Sequence, residues 1–220
     1  MDSNQKSRTI GILVFVLFVL DHTSFAGGFS LAPKLGTTGV GADVVYRINN
    51  HFYTRIGGAA ARLKPSFDFD GHEAQSNIKL ETFNALLDWH VGKSPFRIST
   101  GIYYNLNKYD FSLTPDDDID IGDGSYTPAE VGTFNANLRY SDKLAPYLGI
   151  GYNSAFKSGT RWGFCSDLGV FYSGAPKVDL STTGSGVSDS DLNKEESEIQ
   201  ENLDNLKVYL VLNLGFYYRF

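Results

Sequence analysis

The chain has 220 residues, with 19 lysines and arginines against 25 aspartates and glutamates and a formal net charge of −6 at pH 7. An acidic chain without a basic cluster argues against a nucleic-acid partner, and a single cysteine, Cys165, excludes an intramolecular disulfide. The mean hydropathy of −0.19 is compatible with a membrane protein only if polar and apolar residues alternate, as they do in a β-barrel.

The amino-terminal 26 residues have the pattern of a secretory signal peptide. Two basic residues precede the apolar run 10–20, and Ala26 supplies the small residue that a signal peptidase reads. This run is too short to span a bilayer, which takes about 20 residues. We therefore expect a cleaved signal peptide at 1–26 and one exported domain at 27–220.

Alternation of apolar and polar residues predicts β-strands through the rest of the chain, with turn residues between them. The predicted strands are 29–35, 40–48, 52–60, 77–90, 96–106, 131–141, 148–152, 162–172, 178–180 and 206–220. This pattern predicts an all-β, antiparallel up-and-down transmembrane barrel of about ten strands. Eight strands remain possible if the first hairpin is one bent strand and 177–183 is a loop.

The last strand, 206–220, carries the strongest signal. Alternation continues to the final residue, whereas a strand in a globular protein is usually about 5–6 residues long and a tilted membrane strand needs about 9–11. Phe216, Tyr218 and Phe220 lie on one face, in the pattern of a carboxyl-terminal assembly signal of outer-membrane barrels. The alternative is a soluble sandwich whose edge strand comes last.

Loop lengths predict which end of the barrel faces outward, because outer-membrane barrels have short periplasmic turns and longer extracellular loops. The connections predicted to be periplasmic are 49–51, 92–95, 141–145 and 173–176. The connections predicted to be extracellular are the long segments 64–76, 113–130 and 181–206 and the shorter segments 36–39 and 154–161.

The segment 189–206 has a different period. Leu192, Ile199 and Leu203 recur at helical spacing, with glutamates on the other face and Asp191 as a possible N-cap. This pattern predicts a short helix in the last loop, and a disordered acidic loop is the alternative.

Several strand and turn stretches together resemble a known family. They are Leu86-Leu87-Asp88-Trp89, Gly101-Ile102-Tyr103-Tyr104-Asn105, the stretch 145–151, Trp162-Gly163-Phe164, the stretch 167–170, the stretch 174–177 and Tyr218-Arg219-Phe220. With these stretches the chain is similar to small Gram-negative outer-membrane β-barrels of the outer-membrane protein A and W type. The resemblance implies a monomer in the cell outer membrane, surrounded by lipid and lipopolysaccharide and folded by the barrel-assembly machinery. It implies no ligand or catalytic residue.

Charged residues recur on the predicted inner faces, where an unpaired charge would be costly. The members of this predicted lumen network are Asp43, Arg47, Arg55, Asp88, Arg97, Arg139 and Asp167, with Lys34 and Arg219 nearer the strand ends. One interpretation is a salt-bridged plug in a protein with a structural or surface-interaction role. The alternative is a charged constriction in a narrow channel for small solutes.

The sequence offers little evidence for a metal site or for catalysis. Asp116, Asp118 and Asp120 have the oxygen density of a calcium loop but lack its ordered ligand spacing, so we expect an exposed loop. Bridging of lipopolysaccharide phosphates by a divalent ion is the alternative. The histidines at 51, 72 and 90 show no Ser-His-Asp spacing, so we predict no enzyme and no cofactor. Cys165 is expected to be a small core residue.

Overall fold

The computed structural model describes residues 28–69, 72–154 and 160–220, so the expected signal peptide at 1–26 lies outside the described residues. The strands of this part are β1 (Phe29–Gly36), β2 (Gly39–Arg47), β3 (Phe52–Leu63), β4 (Ser66–Phe69), β5 (His72–His90), β6 (Phe96–Asn105), β7 (Lys108–Leu113), β8 (Ile119–Ile121), β9 (Gly124–Tyr126), β10 (Phe134–Tyr140), β11 (Leu144–Asn153), β12 (Trp162–Tyr172), β13 (Pro176–Thr182) and β14 (Val208–Arg219). The helices are α1 (Pro128–Val131) and α2 (Asp189–Leu203), with a 3₁₀ turn at Val91–Lys93.

Eight of these strands close into a barrel. The order around the ring is β1, β2, β3, β5, β6, β11, β12 and β14, and every neighbouring pair is antiparallel. The ring closes where β14 pairs with β1, for example Tyr218 opposite Leu31. Closure pairs both edges of every strand in the ring. A membrane-spanning sheet needs this closure because lipid cannot hydrogen-bond to backbone N–H and C=O groups. The predicted transmembrane antiparallel β-barrel is confirmed.

The outer surface of the ring is apolar, and the alternation of residues along each strand produces it. In β14, Leu212 and Leu214 are 46% and 51% exposed, whereas Val211 and Asn213, which alternate with them, are 0% and 2% exposed. The same alternation on the other strands yields a continuous apolar band, the surface that a barrel presents to lipid. Among the described residues, no helix is both long and apolar enough to cross a membrane.

A second sheet continues beyond the ring, and we call it the distal sheet. It consists of β4, the first half of β5, β7, β10 and β13, hydrogen-bonded in that order. The start of β1 and the end of β14 meet at the other end of the barrel, where the backbone N–H of Phe220 donates to the carbonyl of Phe29 at 3.4 Å. The distal sheet therefore projects from the end of the barrel away from the carboxyl terminus.

Two of the predicted chain reversals, 141–145 and 173–176, are wrong. Leu144 lies opposite Tyr104, and Arg139 lies opposite Lys108, so the chain keeps its direction from β10 into β11. The chain likewise passes from β12 into β13 without reversing. At both points a long strand only bends as it crosses between the ring and the distal sheet. Each bend joins two predicted strands into one, so the ring has eight strands and not ten. The reasons expected for a count of eight are wrong, because the first hairpin is two strands and most of 177–183 is strand.

The revised path changes two other connections. The segment 154–161 joins β11 to β12 at the end that holds the carboxyl terminus, so its predicted place at the opposite end is wrong. The segment 64–76, predicted as a loop, is mostly the β4–β5 hairpin of the distal sheet. The register decides both cases, because continuous pairing with a neighbouring strand sets the direction of each segment.

Helix α2 confirms the predicted helical segment and covers one edge of the distal sheet. Backbone N–H groups of Val178 and Leu180 on β13 donate to the side chains of Gln200 and Glu196, both at 3.3 Å. A free sheet edge would otherwise expose these donors to foreign strands. The predicted N-cap, Asp191, is wrong, because Ser188 caps the helix and its Oγ accepts from the Asp191 N–H at 3.2 Å.

Candidate functional site

The lumen contains a compact layer of charged side chains, which we call the charged layer. Its members come from six different strands of the ring, and their side chains are at most 8% exposed: Lys34, Asp43, Arg55, Asp88, Arg97 and Asp167. Each of them occupies an inward position of its strand because the alternation that forms the apolar band also directs every second residue into the lumen. The layer therefore follows directly from the strand pattern.

Arg55 is the centre of the charged layer. Its Nη1 and Nη2 each donate at 3.0 Å to one carboxylate oxygen of Asp167, a bidentate arrangement. Its Nε lies 2.6 Å from Oδ2 of Asp88, and Nη1 lies 3.3 Å from Oδ2 of Asp43. One guanidinium thus connects three carboxylates that come from three other strands.

The remaining charges complete the layer at its edges. Lys34 Nζ donates to Asp43 Oδ1 at 2.6 Å and to Asn84 Oδ1 at 2.9 Å. Arg97 Nη2 donates to Asp167 Oδ1 at 2.7 Å. Three cations therefore face three carboxylates, and the layer has no net formal charge. Buried charges are tolerated when they are paired and hydrogen-bonded in this way.

A second layer of the lumen is aromatic, and we call it the aromatic layer. Phe171 stacks between Tyr103 and Tyr209, with ring centroids 5.0 Å and 4.7 Å away, and Tyr147 packs on Tyr103 at 5.1 Å. Phe171 is 0% exposed and Tyr103 is 2% exposed. This layer fills the lumen between the charged layer and the distal sheet.

Glycines on the inner face provide the space that these large side chains occupy. A Cβ at Gly57 would lie 2.0 Å from Oδ1 of Asp43, and one at Gly149 would lie 2.2 Å from the hydroxyl of Tyr147. The cavity left among the charged side chains is about 20 Å³, which is room for about one water molecule. The lumen is therefore filled by its own side chains, as expected for a ring of about eight strands.

Five of the seven predicted network residues meet in the charged layer, and two arginines do not. Arg47 lies exposed at the end of β2 and donates to the side chain of Asn50. Arg139 lies on the distal sheet, outside the ring, where it pairs with Asp110. Their predicted place in the network is wrong because the alternation continues past both ends of the lumen. Cys165 is buried and inward-facing.

Some contributors to the site were not singled out from the sequence. Asn84 and Ser99 hydrogen-bond to Asp43 and Asp88, at 3.1 Å and 2.6 Å. Both residues fall on inward positions of their strands, so the alternation could have placed them in the lumen. Their partners, and the stacking in the aromatic layer, depend on the register between strands and not on any local motif.

The other predicted residues lie away from the lumen. Asp116, Asp118 and Asp120 are exposed on the connection between β7 and β10, and the described part of the chain holds no group of three potential metal-ligating His, Cys, Asp or Glu side chains. Phe216 is 65% exposed on the apolar band, and Tyr218 packs between Trp162 at 4.4 Å and Phe220 at 5.1 Å. Recognition of these aromatic residues by assembly machinery stays a prediction.

The fold is shared with outer-membrane β-barrels of known structure. CarO2 of Acinetobacter baumannii superposes with a TM-score of 0.65 and 20% identity, covering 88% of this chain and 98% of CarO2. CarO of Acinetobacter baumannii superposes with a TM-score of 0.61 and 21% identity, covering 90% of this chain and all of CarO. No protein-family profile matches the chain, and no curated protein matches its sequence. At this identity the likeness establishes the fold, which agrees with the predicted location in the outer membrane.

Proposed function

We propose that this protein is a non-conducting, non-enzymatic outer-membrane barrel whose distal sheet and long connections form an interaction surface outside the cell. The observation that carries the proposal is the filling of the lumen by two successive layers of side chains, with a cavity of only about 20 Å³ in the charged layer. Hydrated solutes need a continuous path through the lumen, and the side chains packed in both layers oppose such a path.

Conductance in planar lipid bilayers tests the closed lumen. We expect no steady channels from the purified wild-type protein. Steps should appear when both layers are reduced together, as in Arg97→Ala combined with Tyr103→Ala and Phe171→Ala. The matched control replaces the outward-facing Ile102 and Val170 by alanine, which leaves the lumen unchanged. Steady wild-type channels that Arg97→Ala alters would refute the proposal and support the alternative, a narrow conduit for small solutes.

Labelling of intact cells tests the proposed orientation. The single cysteine is buried, so a Cys165→Ser background allows new cysteines to be placed one at a time. Glu201 on α2 and Asn50 at the opposite end of the barrel are both exposed. A membrane-impermeant maleimide should label Glu201→Cys in intact cells and Asn50→Cys only after permeabilisation. The reverse result would place the distal sheet in the periplasm.

An interaction role predicts that binding depends on the distal region while the barrel stays intact. Replacing the connection from Thr183 to Lys207 by a short linker should abolish binding to cells or matrix without loss of heat-modifiable migration on a gel. Undiminished binding by this variant would contradict an interaction surface at that connection.

A further inference from the structure

A row of basic side chains crosses the outer face of the distal sheet and the adjoining end of β3, and we call it the basic row. Lys79 lies opposite Arg62 on one side and Lys108 on the other, and Arg139 lies opposite both Lys108 and Lys177. Directly opposite residues in antiparallel strands point to the same face. The five side chains therefore form one line across β3, β5, β7, β10 and β13, about 19 Å long at the usual strand spacing.

The basic row lies just beyond the apolar band and on the same outer face. Lys108 and Lys177 are exposed, whereas their neighbour Val178 is 5% exposed and points inward. Along β5, Phe83 belongs to the apolar band and is 52% exposed, and it lies four residues after Lys79 on the same face. Four residues of a strand span about 13 Å. The basic row therefore lies about 13 Å from this member of the apolar band and on the same face.

The positive charge of the row is only partly neutralised. Lys79 Nζ lies 2.6 Å from Oε2 of Glu81, and Arg139 pairs with Asp110. Among the described residues, Arg62, Lys108 and Lys177 form no ion pair. On the opposite wall of the ring, β1 and β2 do not continue into the distal sheet but are joined by a tight turn at Thr37 and Thr38.

A polar surface follows the basic row toward the tip of the distal sheet. The next positions on this face form two further rows, Asn77–Asp110–Asn137–Asp179 and Gln75–Ser112–Asn135–Ser181. A groove of about 500 Å³ lies among Lys64, Ser66, Gln75, Asn77, Asp110 and Ser112. Oδ1 of Asn77 is buried there without a hydrogen-bond partner. The amide and hydroxyl groups of these rows can donate to and accept from sugar hydroxyls, and the carboxylates of Asp110 and Asp179 can accept from them.

We propose that this face binds the headgroup of a phosphorylated glycolipid in the surrounding leaflet. The acyl chains would lie on the apolar band, the phosphates on the basic row and the sugar in the groove beyond it. The order of the three surfaces along the strands matches the order of the three parts of such a lipid. The proposal rests on the orientation of the distal sheet proposed above, which the cysteine-labelling experiment tests independently.

Native mass spectrometry of the whole protein in a mild non-ionic detergent tests the proposal. The probe is bisphosphorylated lipid A, compared with lipid A without phosphates and with phosphatidylglycerol, which has a phosphate but no sugar. The test variant is Lys79→Gln/Lys108→Gln/Lys177→Gln. The matched control, Arg47→Gln/Arg161→Gln/Lys194→Gln, removes the same charge from exposed positions elsewhere. Heat-modifiable migration establishes that each variant is folded.

We expect bisphosphorylated lipid A to bind the wild-type protein and the control with affinities within twofold of each other. The test variant should bind it at least tenfold more weakly. Both comparison lipids should bind the wild-type protein at least tenfold more weakly than bisphosphorylated lipid A. Equal weakening in test and control variants would overturn the proposal, because net charge alone would then explain binding. Equal binding of the lipid without phosphates, or of phosphatidylglycerol, would also overturn it.

Discussion

Replacing Arg55, the centre of the charged layer, should destabilise the barrel more than replacing an arginine outside that layer. In Arg55→Ala, Lys34 and Arg97 would remain opposite three buried carboxylates whose exposed fractions are at most 8%. Breaking a buried ion pair by removing one partner costs about 3–5 kcal/mol. We therefore expect the unfolding equilibrium to shift by about 10²- to 10⁴-fold. The free energy of unfolding should fall by at least the cost of one broken pair, because the Arg55 guanidinium contacts all three carboxylates.

The assay is urea unfolding in phospholipid vesicles, followed by tryptophan fluorescence. Both tryptophans, Trp89 and Trp162, lie on the apolar band, with exposed fractions of 44% and 67%, so their emission reports the loss of lipid contact. The matched control is Arg139→Ala, whose ion pair with Asp110 is 38% and 30% exposed and is expected to contribute about 0–1 kcal/mol. Equal losses of stability in the two variants would refute the reasoning.

A double replacement separates charge imbalance from lost packing. Arg55→Met/Asp167→Asn leaves two cations and two carboxylates in the layer, so it should be more stable than the sum of the two single variants indicates.

Asp167→Ala should also lower stability more than Asp118→Ala in the exposed connection. If the Asp118 replacement were the more harmful, the acidic connection would be a bound-ion site and the structural assignment of the charged layer would be wrong.

Three further predictions concern the space in the lumen, assembly and pH. Gly57→Ala should impair folding, because its Cβ would lie 2.0 Å from a carboxylate oxygen of the charged layer. Gly58→Ala should impair folding less, because its Cβ would lie 3.0 Å from the Phe83 ring and 3.1 Å from the carbonyl oxygen of Thr82; levels of heat-modifiable protein compare the two variants. Deletion of Phe220 should reduce assembly in the outer membrane but not export, and accumulation of processed protein in the periplasm would show it. Hydrogen bonds from Tyr126 and other donors lower the pKa of Asp191 from its ordinary 3.8, so the contact stabilises the distal region above about pH 4 and is lost as the pH falls through the lowered pKa. Amide protection factors at the start of α2, which compare the observed exchange rate with the intrinsic rate at each pH, should fall over that range in the wild type, and unchanged protection there would contradict the prediction.

The sequence determined the fold class and most of the charged layer, because both depend only on a period of two. Alternation along 206–220 specified a long strand with one apolar face, and the same alternation placed Asp43, Arg55 and Asp167 on inner positions. Inner charges that share a narrow lumen must pair, so a compact network could be expected before any partner was known.

Only the tertiary structure decided the strand count, the place of Arg139 and the partners within the lumen. Ser141 and Gly174 lie where a long strand bends between two sheets, but such residues are equally common in a chain reversal. Local turn chemistry cannot distinguish the two cases, because the direction of the next strand depends on pairing with strands distant in sequence. The stacking in the aromatic layer has the same origin, since it depends on the register between neighbouring strands.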